Sequence, residues 1–171
     1  MVAREETMAI QLKRILVAKD LSKEASNVIR YALELAHKFG AEVHVLHVMP
    51  TVDHAVLNMV AISMGPDKLA KFNAENEAKL AEETRKQLNR ILEEEKALGD
   101  FRLESEPTIE VHHGEAAPMI LSVADRIDAD LIILGSHSKG KLHYAFLGSV
   151  AEKILRQSQR AVFIVPPMVG D

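Results

Sequence analysis

Small, hydroxyl and basic residues follow a short apolar run late in the sequence. Residues 131–134 are apolar and lead into Gly135, Ser136, His137, Ser138, Lys139, Gly140 and Lys141. An amphipathic run then begins after Gly148 and Ser149. This order predicts a strand, a loop and a helix start, whose backbone N–H groups and helix dipole suit a phosphate group. Glycine permits close approach and positive φ, and Ser149 supplies a hydroxyl at the predicted helix start. The same residue types also occur in ordinary connecting loops.

Asp20 is the acidic residue that ends the first apolar run, residues 15–18. It is a candidate ligand-binding residue, although an acid there also suits the start of a helix. The eight histidines show no metal-binding spacing, because adjacent residues such as His112 and His113 face opposite sides of a strand. The serines of the loop lack the context of a nucleophile elbow. We therefore predict no catalytic residue and no metal ligand from the protein.

Composition excludes several classes of function. The chain has 171 residues, a formal charge of −4, 4% aromatic residues and no cysteine. These values disfavour binding to nucleic acid or to an anionic membrane, and they exclude thiol chemistry. No apolar run approaches the ~20 residues of a membrane span. We expect a soluble, cytoplasmic protein.

Apolar runs alternate with amphipathic segments along the chain. The predicted strands are residues 15–18, 43–48, 108–112, 131–134 and 161–165. Strands that alternate with helices predict a parallel sheet covered on both faces. Ligands bind such sheets at the carboxyl ends of strands, where the strand order reverses. A reversal between the first and fourth strands would bring Asp20 beside the loop that begins at Gly135. We expect a leader at 1–12, one domain at 13–167 and a helical insertion at about 54–98.

Several of these segments together resemble the universal stress protein family. They are residues 15–20, Leu46-His47-Val48, residues 114–117 and the stretch from Gly135 to Ser149. The resemblance covers residues 13–167. It implies a doubly wound α/β fold like that of the adenine nucleotide alpha-hydrolases, with five parallel strands in the order 3-2-1-4-5. The nucleotide-binding branch has a third glycine where this chain has Ser138.

The resemblance also implies roles for individual residues. Ala18 and Asp20 would lie by the adenine and ribose of ATP, AMP or ADP, and the backbone of Val48 would face adenine. The loop from Gly135 to Lys141 would surround the phosphates. The start of the last helix, at Gly148, Ser149, Val150 and Ala151, would close around the terminal phosphates, with Mg²⁺ held through them. The last strand, from Val162 to Val165, would pair antiparallel in a homodimer.

These expectations leave more than one function open. The first is an ATP-binding stress-response regulator with little or no hydrolysis, because the sequence shows no obvious arginine finger or catalytic base. The second is a nucleotide-free, dimeric interaction module, since the side chain of Ser138 could crowd a phosphate. A third is an adenylyl-transferring or pyrophosphatase enzyme. A flavodoxin-like carrier or a receiver domain is disfavoured, because residues 19–22 contain no glycine and only one acid.

Overall fold

The computed structural model describes residues 10–21, 26–51, 54–136 and 147–166. Strands and helices alternate through most of this length. The strands are β1 (Arg14–Ala18), β2 (Glu42–Met49), β3 (Thr108–His113), β4 (Leu131–Gly135) and β5 (Ala161–Val165). The helices are α1 (Ser26–Phe39), α2 (His54–Met64), α3 (Pro66–Leu98), α4 (Ala116–Arg126) and α5 (Ser149–Gln157).

All five strands form one parallel sheet in the order β3-β2-β1-β4-β5. This order confirms the predicted fold. The central strand β1 pairs with β2 on one side and with β4 on the other, so that Ala18 is the register partner of both Leu46 and Leu134. The chain therefore leaves β1 toward one edge of the sheet and later returns to its other side.

The core consists of two apolar layers, one on each face of the sheet. One layer joins β1 and β2 to α1 and to Leu92 of α3. The other joins β1 and β4 to α4 and α5. The side chains of β1 alternate between the layers, with Ile15 and Val17 in the first and Leu16 in the second. Burial on both faces explains why β1 and β4 are continuous apolar runs.

Helix ends follow local sequence signals. Gly40 follows α1 with φ of +65°, and the N–H of Ala41 donates to the Ala36 carbonyl at 3.1 Å, as in a Schellman motif. Pro66 is the first residue of α3, where its missing N–H would have no helical partner.

The long helix α3 packs on the domain mainly through its carboxyl-terminal half. Leu88 and Leu92 are buried there, whereas Phe72 and Leu80 are each 52% exposed. Among the described residues, no helix combines the length and apolar character needed to cross a membrane.

Candidate functional site

A cleft of about 520 Å³ opens at the carboxyl ends of β1 and β4. This is the point where the strand order reverses, which is where open α/β sheets bind ligands. The volume lies within the roughly 300–1,000 Å³ typical of small-molecule sites. The cleft is lined by Ala18, Lys19, Asp20, Leu21, Val28, Leu46, His47, Val48, Pro50, Ala116, Ile120, Leu134, Gly135, Ser136, Gly148, Ser149, Val150 and Ala151.

The predicted site residues that the structure describes all meet at this cleft. They come from the ends of β1, β2 and β4 and from the start of α5, and they are Ala18, Asp20, Val48, Gly135, Ser136, Gly148, Ser149, Val150 and Ala151. The other predicted phosphate-binding residues, His137, Ser138, Lys139, Gly140 and Lys141, lie outside the described residues. The proximity of these residues is a structural observation, and their role in binding stays a prediction.

The two ends of the segment between β4 and α5 are held together at the rim of the cleft. The N–H of Gly148 donates to the Ser136 carbonyl at 2.7 Å. The N–H of Ser136 in turn donates to the carbonyl of Val165, the last residue of β5, at 2.9 Å. The backbone N–H and carbonyl of Ser136 thereby connect the end of β5 to the residue that precedes α5.

The amino terminus of α5 differs in one respect from the sequence prediction. The cap position is Gly148, whose φ of −63° and ψ of 150° are open to any residue, and no side chain caps the helix. Ser149 is therefore the first helical residue, and its hydroxyl does not serve as the expected cap. The N–H of Glu152 donates to the Gly148 carbonyl at 2.9 Å. Helix geometry gives the preceding N–H groups, at Ser149 to Ala151, no acceptor within the helix.

The peptide groups at Lys19 are tied to β2 on both sides of the residue. The Lys19 N–H donates to the Leu46 carbonyl at 2.9 Å. The Lys19 carbonyl lies 2.7 Å from Nδ1 of His47, the residue next along β2. Because a carbonyl oxygen only accepts, Nδ1 must carry the proton. Both bonds lie immediately before Asp20 and set the path of the backbone there.

The side chain of Lys19 is buried on the α1–α3 side of the sheet. Only 4% of Lys19 is exposed, and Glu95 of α3 is equally buried and accepts from Nε of Arg30 at 2.9 Å. Burial lowers the pKa of Lys19 from its ordinary value, while the charges of Asp20 and Glu95 oppose that change. This group of charges links α3 to the strand that carries Asp20.

The cleft includes residues to which the sequence had assigned no role. Ala116 and Ile120 of α4 form an apolar wall, and His47 lies within β2, two residues before its end. Position after an apolar run, the signal that selected Asp20, did not apply to His47, which lies inside the predicted strand 43–48. Among the described residues, no three His, Asp or Glu side chains cluster in a way that could hold a metal ion.

The fold and cleft define a doubly wound α/β protein with a cleft of small-molecule size at the switch point of its sheet. Comparison with known families identifies the family within this class to which the chain belongs. The sequence model of the universal stress protein family matches residues 11–166, so the chain belongs to that family.

Individual relatives align over almost the whole chain. Universal stress protein MJ0577 of Methanocaldococcus jannaschii is 28% identical over 162 residues, which cover 92% of this chain and 97% of the relative. A solved structure of MJ0577 superposes with a TM-score of 0.72 at 25% identity, covering 94% of this chain and 100% of that one.

Another solved neighbour is a universal stress protein from Archaeoglobus fulgidus in complex with dAMP. It has a TM-score of 0.54 and 20% identity, with 91% of this chain and 98% of that chain covered. A further universal stress protein, in complex with cAMP, has a TM-score of 0.59 and 18% identity, with the same coverage of 91% and 98%. At these identities the likeness shows the fold.

Proposed function

We propose that this universal stress protein binds an adenine nucleotide, ATP or its relatives AMP and ADP, in the cleft between β1, β4 and α5. The observation that carries the proposal is the meeting of three chemically different walls in that one cleft. One wall is apolar, one presents the Asp20 carboxylate, and one is the amino terminus of α5. Adenine, ribose and phosphate need these three environments.

The apolar wall suits a purine ring. Ala18 and Val48 at the strand ends face the cleft together with Ala116 and Ile120 of α4. Asp20 follows Ala18 by two residues, and its half-buried carboxylate is an acceptor for the hydroxyl groups of a ribose. A base on the apolar wall with its sugar toward Asp20 would direct the phosphates toward α5.

The amino terminus of α5 suits the phosphates. The N–H groups of Ser149, Val150 and Ala151 lie at the positive end of the helix dipole, and such helix starts bind phosphate. The proposal assigns the residues from Gly135 to Lys141 to the same phosphates. A magnesium ion would neutralise phosphate charge and would be held through phosphate oxygens rather than by a cluster of protein ligands.

The two nucleotide-bound neighbours support this assignment because their ligands, cAMP and dAMP, are adenine nucleotides. We further propose a regulatory role with little or no hydrolysis. No arginine lines the described part of the cleft, and an arginine that stabilises the transition state accounts for much of the rate in efficient nucleotide hydrolysis.

Binding can be tested by isothermal titration of nucleotide-free protein with ATP, ADP and AMP, with and without Mg²⁺. We expect saturable binding, and we expect Asp20→Asn to weaken it by about 10-fold or more, because a charge-assisted hydrogen bond contributes ~1.5–3 kcal/mol. The matched control is Asp100→Asn, which alters an exposed aspartate after α3. Absence of binding at millimolar nucleotide, or equal losses in both variants, would contradict the proposal.

The second proposed function is a nucleotide-free interaction module. It is favoured by exposed apolar side chains on α2 and α3, where Met59 is 75% and Ile62 89% exposed. It also accounts for Ser138 in place of the family's glycine. This function predicts that the natural protein fails to retain ATP, whereas Ser138→Gly binds it. Equal binding by both proteins would rule this explanation out.

Two further parts of the proposal concern the whole molecule. We propose a homodimer formed through β5, from Val162 to Val165, because β5 is an edge strand and Phe163 on it is 38% exposed. Unpaired edge strands readily pair with another chain.

We also propose a cytoplasmic location, which the absence of cysteine suits.

A further inference from the structure

The side chain of His47 forms a hydrogen bond to the backbone of the segment that follows β1. Its Nδ1 lies 2.7 Å from the carbonyl oxygen of Lys19, 28 residues away in the sequence. The acceptor is the last carbonyl before Asp20. The bond therefore acts on the peptide that joins Lys19 to Asp20.

Because its partner is a carbonyl oxygen, the hydrogen bond determines which ring nitrogen of His47 carries a proton. A carbonyl cannot donate, so His47 carries a proton on Nδ1, and in the neutral ring Nε2 is then the acceptor. Protonation of the ring adds a proton at Nε2 and leaves Nδ1–H in place. The bond to Lys19 consequently persists in both charge states of His47.

The hydrogen bond from His47 holds the Lys19–Asp20 peptide, which the bonds of the sheet alone do not hold. The ladder between β1 and β2 holds Lys19 through its N–H, which donates to the Leu46 carbonyl at 2.9 Å. The carbonyl of the same residue lies beyond the last register pair of the two strands, Ala18 with Leu46, and His47 is its recorded partner. Without a second bond there, the peptide before Asp20 could rotate and carry the carboxylate away from the cleft.

We propose that His47 is a positioning residue of the nucleotide site, which holds the Lys19–Asp20 peptide through its Nδ1–H and so presents Asp20 to the ligand. This inference rests on the proposed nucleotide binding. It assigns His47 a function that acts through Asp20 rather than through its own contact with the nucleotide.

The test compares two substitutions at position 47. Asn places an amide N–H at the same distance from Cβ as the histidine Nδ1, whereas Leu fills similar space without a donor. We expect His47→Leu to weaken ATP binding about 5- to 10-fold, as for the loss of one buried hydrogen bond, and His47→Asn to stay within about 2-fold of the natural protein. His44→Leu is the matched control, because His44 lies on the same strand and is not among the described residues of the cleft.

A double-mutant cycle with Asp20→Asn separates positioning from a general structural role. If His47 acts through Asp20, His47→Leu should weaken binding no further once the carboxylate is absent. Equal losses with and without the carboxylate would overturn the proposal. Loss of binding in His47→Asn equal to that in His47→Leu would also overturn it.

The restraint itself is measurable in ligand-free protein. We expect hydrogen exchange at the Asp20 amide, the N–H of the Lys19–Asp20 peptide, to be several-fold faster in His47→Leu than in His47→Asn, and NMR to show His47 protonated at Nδ1. If the natural protein bound no nucleotide, the proposed function would fail. The exchange rates and the tautomer would then still decide whether His47 holds this peptide, and unchanged exchange in His47→Leu would refute it.

Discussion

Gly148 lines the candidate site without using the conformational freedom of glycine. Its φ of −63° is accessible to every residue. The sequence analysis gave positive φ and close approach as uses of glycine in this segment, and for Gly148 we propose close approach. Gly148 lines the cleft at the cap of α5, where a phosphate would come nearest to the backbone.

Gly148→Ala should therefore separate ligand binding from folding. We expect the free energy of unfolding to change by less than ~1 kcal/mol, because alanine adopts this φ but is a poorer helix cap. ATP binding should weaken about 10-fold, since the added Cβ would occupy space near the phosphates. Chemical denaturation and calorimetric titration measure the two effects. A large loss of stability with unchanged affinity would contradict this interpretation.

Asp20 and His47 show which parts of the candidate site could be predicted from residue types and which could not. Asp20 was identified from its position after an apolar run, because a strand end in a parallel sheet is where ligands bind. His47 lies inside the predicted strand 43–48 and received no role. Its partner is a backbone carbonyl on another strand, and a backbone acceptor leaves no trace in the types of residues that a sequence displays.

Helix α3 is connected to the cleft through buried charges rather than through apolar contact alone. Glu95 near its carboxyl end is 5% exposed, and its charge acts on Lys19 at the end of β1. The helix was predicted from its charged, amphipathic pattern. The burial of Glu95 was not predicted, because this residue belongs to a run of three glutamates, Glu93, Glu94 and Glu95, whose pattern is typical of a solvated surface.

Glu95→Gln should destabilise the protein although it preserves the shape of the side chain. We expect the free energy of unfolding to fall by about 3 kcal/mol, because the buried ammonium of Lys19 loses one of its two compensating charges and Arg30 loses its charged partner. The pKa of Lys19, already lowered by burial, should fall further. Glu94→Gln, at an exposed position next to it, should leave stability within ~0.5 kcal/mol. Urea denaturation of the variants checks this.

Addition of Lys19→Met to Glu95→Gln provides a further check on the cause. The double variant should recover part of the lost stability, because it no longer carries an uncompensated charge in the interior. Failure of Lys19→Met to recover any stability would show that the cost of Glu95→Gln arises instead from its hydrogen bond with Arg30.

The sheet ends at β5 on one side, and this edge is where a second copy of the chain would pair. Phe163→Lys should convert the proposed dimer to a monomer, because a charged residue on an edge strand opposes pairing. Sedimentation or light scattering should give twice the chain mass of 19.0 kDa for the natural protein and a single chain mass for the variant. Phe39→Lys is the control, since Phe39 is exposed at the end of α1. A natural protein that is monomeric would refute the dimer.

Alternation of apolar runs with amphipathic helices was sufficient to predict a parallel sheet, because strands covered on both faces must be continuously apolar. The resemblance of several segments to one family supplied the strand order, which the structure confirms. The division into a leader, a domain and an insertion stays a prediction.

Contacts between distant segments could not be predicted from such patterns. The bond from His47 to the Lys19 carbonyl, the charge of Glu95 beside Lys19 and the joining of Ser136 to Gly148 each depend on how the chain crosses from one strand to the next. Periodicity reports which face of an element is apolar, whereas these contacts depend on which elements become neighbours. For the candidate site, residue types therefore indicated the chemistry, and the order of strands brought that chemistry into one cleft.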